Sequence, residues 1–163
     1  EQRVNLARPG IEQFFIKKKL KYSINSIEYE TYKQYISVAE IRYQAGISDD
    51  ENIYLQVEAG YEDELLNESL LIDLARPGKE IFYSKGVCFD IIVETIPHKW
   101  HKKKICYDDL VKIACGNNEK NGILYTIRYE DGPPQNVKGD IVEGKCVFVQ
   151  DNMIFHVTKC HKS

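Results

Sequence analysis

The sequence predicts an α+β protein built from tandem domains, and two observations carry this prediction. The pentapeptide Leu-Ala-Arg-Pro-Gly occurs twice, at residues 6–10 and 74–78, an offset of 68 residues. A fixed period of this size indicates a repeated folding unit. Strand-like alternation and one short helical segment follow in the same order in both halves of the chain. We therefore expect residues 1–15 to close a preceding repeat, and residues 16–85 and 86–163 to form two whole domains.

The repeated pentapeptide is predicted to be a turn that leads into a strand. Proline fixes φ and lacks an N–H donor, and glycine tolerates positive φ, so Arg-Pro-Gly is typical of a turn. The apolar and aromatic residues after each copy, 11–15 and 79–84, are typical of a strand. The first of these strands would be separated from its own domain, and we expect it to add to a sheet edge in its own or a neighbouring chain. The residues expected to make this contact are Ile11, Gln13, Phe14 and Phe15.

In the first domain, alternation and capping residues predict each element in turn. Residues 20–24 and 27–32 alternate apolar and polar side chains and are joined by two residues, which predicts a hairpin. Ser37 is a predicted helix N-cap with Glu40 as its capping-box partner, and Gly46 is expected to end the helix. The third strand and the closing strand are predicted at residues 53–57 and 79–84.

The second domain repeats this order with weaker sequence identity. Ile41 and Leu110 lie 69 residues apart and are expected at equivalent buried helix positions. A hairpin, a helix, a third strand, a crossover and a closing strand follow the order of a β-grasp domain, in which a helix covers one face of a mixed sheet. We therefore expect tandem β-grasp domains. The predicted elements of the second are strands at 89–93 and 96–104, a helix at 107–114, a strand at 123–129 and closing elements at 147–157.

The composition is that of an ordinary globular protein, with 43% hydrophobic and 29% charged residues and a formal net charge of −3. A nucleic-acid-binding domain is expected to be strongly basic, and no apolar run approaches the ~20 residues of a membrane span. We therefore expect no nucleic-acid or membrane partner. The five cysteines begin at Cys88 and include no Cys-x-x-Cys pair. This odd number and spacing predict free thiols in a reducing cytoplasm, without a disulfide framework or a zinc site.

The repeated turn and several C-terminal segments resemble a known family. The stretch Leu-Ala-Arg-Pro-Gly-x-Glu-x-Phe-Tyr at residues 74–83, with residues 129–133, 144–149 and 152–157, resembles the bacterial multi-ubiquitin family. Its members are tandem ubiquitin-like proteins encoded beside modifying enzymes. The resemblance implies ubiquitin-like β-grasp domains and a non-enzymatic protein modifier that is activated at its C-terminus and carries no cofactor. The implied partners are activating-like and conjugating-like enzymes and a JAMM-type or other deubiquitinase-like peptidase.

The resemblance also implies where such a modifier would work. The last strand is expected to finish near Val157 or Thr158, which leaves a tail to enter a partner's active site. This tail lacks the terminal Gly-Gly of eukaryotic ubiquitin and consists of Lys159, Cys160, His161, Lys162 and Ser163. By analogy with the main contact face of ubiquitin, the expected recognition surface is the exposed side of the third strand, formed by Leu124, Thr126 and Arg128.

Other residue clusters have both a functional and a structural interpretation, and the structural one is favoured for each. Residues 97–104 would hold phosphates with Trp100 stacked on a base in one interpretation, but a half-buried tryptophan fits a near-neutral domain better. Cys160 beside His161 lacks the fixed base that a catalytic thiol needs. The acidic residues 49–51 lack the glycine and spacing of a calcium loop, and the histidines show no established ligand spacing. The alternative function is a non-covalent scaffold or self-assembling interaction module.

Overall fold

The computed structural model describes residues 18–116 and 124–160, which form fourteen strands and two helices. The helices are α1 (Val38–Ala45) and α2 (Tyr107–Cys115). The strand-addition residues expected near the N-terminus, Ile11, Gln13, Phe14 and Phe15, lie outside the described residues. The strands are β1 (Leu20–Ile24), β2 (Ile27–Thr31), β3 (Tyr35–Ser37), β4 (Glu51–Leu55), β5 (Glu64–Leu65), β6 (Leu71–Asp73), β7 (Glu80–Gly86), β8 (Phe89–Val93), β9 (Ile96–Trp100), β10 (Lys104–Cys106), β11 (Leu124–Glu130), β12 (Gly139–Ile141), β13 (Cys146–Phe148) and β14 (Met153–Cys160).

The expected α+β class, tandem β-grasp domains with one covering helix each, is contradicted by this architecture. Strands account for 47% of the described residues, arranged in four small sheets, against helices of eight and nine residues. The caps of each helix lie so close together that the helix makes little more than two turns. α1 consequently buries only Val38 and Ile41, and α2 only Tyr107 and Leu110. Strands and loops supply the rest of both cores, so the chain is a strand-rich protein.

Strands β1–β7 with α1, called the first half, form one five-stranded and one two-stranded sheet, and strands β8–β14 with α2, called the second half, do the same. The first sheet has the strand order β2-β1-β7-β4-β5, and β3 pairs with β6 beside it. The second sheet has the order β9-β8-β14-β11-β12, and β10 pairs with β13. β1 and β7 are parallel, as are β8 and β14, whereas the hairpins are antiparallel. The two halves therefore share one strand order, in agreement with the repeat in the sequence.

The predictions for the first hairpin and the first helix are confirmed. Asn25 and Ser26 join β1 to β2 with φ values of 48° and 68°, and positive φ at both positions matches the right-handed twist of a hairpin. The Ser37 hydroxyl accepts a hydrogen bond from the Glu40 N–H at 3.2 Å, and the Ser37 N–H donates to the Glu40 carboxylate at 3.0 Å. Gly46 ends α1 in the left-handed conformation with φ of 62°.

Two separate apolar clusters form the cores, one in each half. Ile41 and Leu110 are both completely buried, one in each cluster, so their predicted equivalence is confirmed. Phe82 and Phe155, on the central strands β7 and β14, are also completely buried. The corresponding side chains of the two halves thus fill corresponding places in the two cores.

The prediction that the cysteines are all free thiols is wrong. Cys106 at the end of β10 forms a disulfide with Cys146 at the start of β13, whereas Cys88 is a free thiol. The two bonded residues are separated by 40 positions in the sequence. Only the antiparallel register of β10 and β13 places them directly opposite each other, so spacing alone gave no sign of the pair.

We expect Leu110→Ala to lower the free energy of unfolding by ~2–5 kcal/mol, because it leaves a cavity under a fully buried helix position. Urea denaturation monitored by circular dichroism measures this change. Lys112→Ala, at an exposed position of the same helix, is the matched control and should stay within about 0.5 kcal/mol of the native value. An unchanged midpoint for Leu110→Ala would show that α2 does not pack on the second core.

The α1 capping box should make stability depend on pH. The Lys33 ammonium, followed by the Ser37 N–H, lowers the pKa of Glu40 from 4.5 to about 2. Because the folded-state pKa is depressed, the stabilisation is present above the unfolded-state pKa and is lost as pH falls towards 2. Glu40→Gln should therefore lower the melting temperature at pH 7, with a difference from the native chain that narrows as the pH falls below 4.5. A difference that does not change with pH would contradict this role, and Glu62→Gln is an exposed control.

Candidate protein-binding face

The three residues expected to recognise a partner lie together on the solvent side of β11. Exposed and buried residues alternate along this strand, and Leu124, Thr126 and Arg128 are all exposed. Tyr125 and Ile127 point instead into the second core. Side chains from β12 and β14 that are opposite these positions share the same side of the sheet. We call this surface the outer face, and it comprises Leu124, Thr126, Arg128, Glu130, Asp140, His156 and Thr158.

Two exposed ion pairs give the outer face its charge pattern. The Arg128 Nε lies 3.5 Å from the Asp140 Oδ1, and the His156 Nε2 lies 3.5 Å from the Glu130 Oε1. The Arg128 side chain is 74% exposed. Exposed pairs of this kind contribute little to stability because water screens both charges. A docking partner can therefore replace these contacts with its own charged groups at small cost.

The last described residues of the chain belong to the second sheet, at one end of the outer face. β14 continues to Cys160, which pairs with Leu124, while Lys159 pairs with Tyr125. The expectation that the strand stops near Val157 or Thr158, leaving a five-residue tail, is therefore wrong. β11 starts early enough that its ladder of hydrogen bonds continues along β14 to Cys160. The other expected tail residues, His161, Lys162 and Ser163, lie outside the described residues.

The corresponding surface of the first sheet carries an aromatic pair that was not predicted from the sequence. Tyr54 of β4 and Tyr83 of β7 are direct cross-strand partners whose rings stack with centroids 5.3 Å apart. The Tyr83 hydroxyl donates to the Asp63 carboxylate at 2.6 Å, and Asp63 also accepts the Val57 N–H at 3.0 Å. The neighbouring Asp63 raises the pKa of Tyr83 to about 12. The inward Leu55 and the alternation of strand residues were the available signals that Tyr54 faces outward.

The two sheets therefore present different chemistry at equivalent places. Leu55 pairs with Phe82 in the first core, and Tyr129 pairs with Phe155 in the second. At the adjacent pair of each ladder, on the opposite side of the sheet, Tyr54 pairs with Tyr83 while Arg128 pairs with His156. One position is aromatic and the other is charged, so the halves are not interchangeable as binding surfaces.

The remaining candidate clusters have mainly structural contacts. Trp100 is half-buried as expected, and its indole N–H donates to the Lys104 carbonyl at 3.0 Å. Asp50 accepts the Lys103 N–H at 2.9 Å and so ties the acidic loop to the second half. Among residues 18–116 and 124–160, no three histidine, cysteine, aspartate or glutamate side chains are grouped as metal ligands. His161 lies outside the described residues, and nothing is described of the Cys160 side chain.

Two further findings bear on identity. Neither of the two helices found in the described part of the chain is long and apolar enough to cross a membrane. No protein-family model and no curated protein matches the chain. These comparisons therefore do not assign it to the multi-ubiquitin family, and the candidate site rests on the geometry of the outer face.

We expect Asp63→Asn to lower the pKa of Tyr83 from about 12 towards the ordinary value of 10.0, because it removes the carboxylate that opposes ionisation. NMR of chains labelled at the tyrosine ring carbons follows this titration. Asp49→Asn, an exposed change in a different loop, should leave the Tyr83 titration unchanged. If Asp63→Asn also leaves it unchanged, the hydrogen bond is not formed in solution.

Proposed function

We propose that this protein is a protein modifier of the bacterial multi-ubiquitin kind. An ATP-dependent enzyme activates the carboxyl group at the end of the chain and passes it to targets, while the outer face binds that enzyme. The observation that carries the proposal is the pairing of Leu124 with Cys160. A partner docked on the outer face would lie next to Cys160, at the end of β14.

The same pairing favours one end of the outer face as the binding position. A partner that binds over Leu124 would lie beside Cys160, at the end of β14.

The chemistry would reside in the partner. A carboxylate is unreactive towards amines, so in the activating enzyme its oxygen attacks the α-phosphorus of ATP, which forms an acyl-adenylate and releases pyrophosphate. A partner thiol then attacks the acyl carbon and releases AMP, which leaves a thioester for transfer. The protein itself supplies its C-terminal carboxylate and the docking surface. We assign no catalytic role to its own side chains.

The partners follow from this role. Activating-like and conjugating-like enzymes would bind the outer face, with Leu124 as an apolar contact and Arg128 and Asp140 as charged contacts at its centre. A deubiquitinase-like peptidase would remove or trim the modifier. The proposed compartment is the cytoplasm, where ATP and such enzymes are present.

A second candidate function is a non-covalent scaffold, and the first sheet favours it. The Tyr54–Tyr83 stack lies beside Leu65 of β5 and Ile81 of β7, which are 56% and 37% exposed. An exposed strip of aromatic and aliphatic side chains suits binding of a protein partner or a second copy. Light scattering over a range of concentrations separates the two functions, because only the scaffold requires association without ATP.

We expect the chain to become adenylated, and then covalently transferred, when it is incubated with ATP and an activating-like enzyme encoded beside it. Intact mass and pyrophosphate release measure these steps. The double variant Leu124→Ala/Arg128→Glu should slow transfer about tenfold or more, equivalent to the loss of about 1.4 kcal/mol of docking free energy. Tyr54→Glu, at the position of the first sheet equivalent to Arg128, is the matched control and should transfer normally. If neither the full chain nor a trimmed form is adenylated or transferred, the modifier function is rejected.

A further inference from the structure

We propose that the Cys106–Cys146 disulfide is a thiol-exchange site, at which a small thiol attacks Cys146 and releases Cys106 as a thiolate at the N-terminus of α2. This inference is independent of the proposed function. It rests on the unequal exposure of the two cysteines, on a cavity beside them, and on the equivalent ribbon of the first half, which has no disulfide.

The two bonded residues differ in exposure. Cys146 is exposed, whereas Cys106 is only partly exposed. Both residues line an open cavity of about 1010 Å³, whose wall also includes Tyr43, Lys104 and Phe148. Pockets of ~300–1,000 Å³ accommodate small organic ligands, so a peptide-sized thiol such as glutathione has room to approach. Attack at the more exposed of the two residues therefore makes Cys146 the site of the mixed disulfide.

The first half of the chain shows that this ribbon forms without a covalent link. Ser37 pairs with Leu71 in the β3–β6 ribbon, just as Cys106 pairs with Cys146 in the β10–β13 ribbon. The inner residue of each ribbon is buried in its own core, Ile36 in the first and Ile105 in the second. The disulfide therefore adds a cross-link to a ribbon that apolar burial already holds in place.

Cys106 also occupies the position that Ser37 occupies in the first half. Both are N-caps, and in both the backbone N–H donates to a carboxylate three residues on, Glu40 at 3.0 Å and Asp109 at 3.2 Å. A thiolate at a helix N-terminus is stabilised by the first-turn N–H groups and by the helix dipole. The Asp109 carboxylate partly opposes this stabilisation. The released Cys106 thus takes the capping role of the Ser37 hydroxyl, which makes it the leaving group.

The reaction balances without another reagent. The thiolate of the small thiol attacks the Cys146 Sγ, a new S–S bond forms there, and the electron pair of the broken bond stays on the Cys106 Sγ. The Cys106 thiolate can then attack Cys146 and expel the small thiol, which restores the disulfide. Alternatively, a second thiolate attacks the mixed disulfide, which leaves two free cysteines and an oxidised thiol pair.

The test treats the native chain with reduced glutathione and maps the products by peptide mass analysis. We expect one glutathione on Cys146, a free Cys106, and a circular dichroism spectrum and amide NMR resonances of the second sheet that remain native. Three outcomes each overturn the proposal: glutathione mainly on Cys106, a disulfide that exchanges only after denaturant is added, or loss of the second sheet on exchange.

Two variants that carry residues of the first half measure the reactivity of each cysteine separately. Cys106→Ser recreates the Ser37 cap, and Cys146→Leu recreates the Leu71 partner. Both should remain folded, as measured by thermal melting. With oxidised glutathione at a pH at which both thiols are ionised, the Cys146 thiol of the first variant should react at least about fivefold faster than the Cys106 thiol of the second, because exposure then limits access. Equal rates would contradict the assigned order of attack.

Discussion

Each half of this protein depends on one central strand, β7 or β14, which is paired on both sides and carries a fully buried phenylalanine. Phe82 and Phe155 face inward, so the next residue of each strand must face outward. That alternation places Tyr83 and His156 on the surface. The same pairing brings the end of β14 beside Leu124. The cores, the two surfaces and the position of the end of β14 therefore follow from the pairing of the central strands.

The shared strand order constrains the inside of the two halves more than the outside. Inward residues remain apolar in both, because each must fill a small core bounded by strands and one short helix. Outward residues face no such constraint, and one half carries a tyrosine pair where the other carries Arg128 and His156. Divergence on the surface with retention of the core gives the two halves different chemistry at equivalent positions.

Residues at the start of the two helices also differ between the halves. The first half uses Ser37 and Leu71, whereas the second uses Cys106 and Cys146. The apolar contact of Ile36 or Ile105 is retained in both ribbons. A residue pair at the edge of a core can thus be a disulfide in one half and a serine and a leucine in the other, while the apolar packing beneath it is the same.

The sequence by itself determined the repeat, because the two copies of one pentapeptide lie at an offset of 68 residues. It also determined the first hairpin, the capping box at Ser37 and the outward position of Leu124 and Arg128, because these depend on neighbours a few residues apart. The fold class predicted from the sequence was wrong, because the alternation of apolar and polar residues does not show how few residues the short helices bury. The predictions of an earlier end for β14 and of a free thiol at Cys106 and Cys146 were also wrong, and the Tyr54–Tyr83 stack was not predicted. Only the tertiary structure decided these, because each depends on strand register between segments distant in the chain.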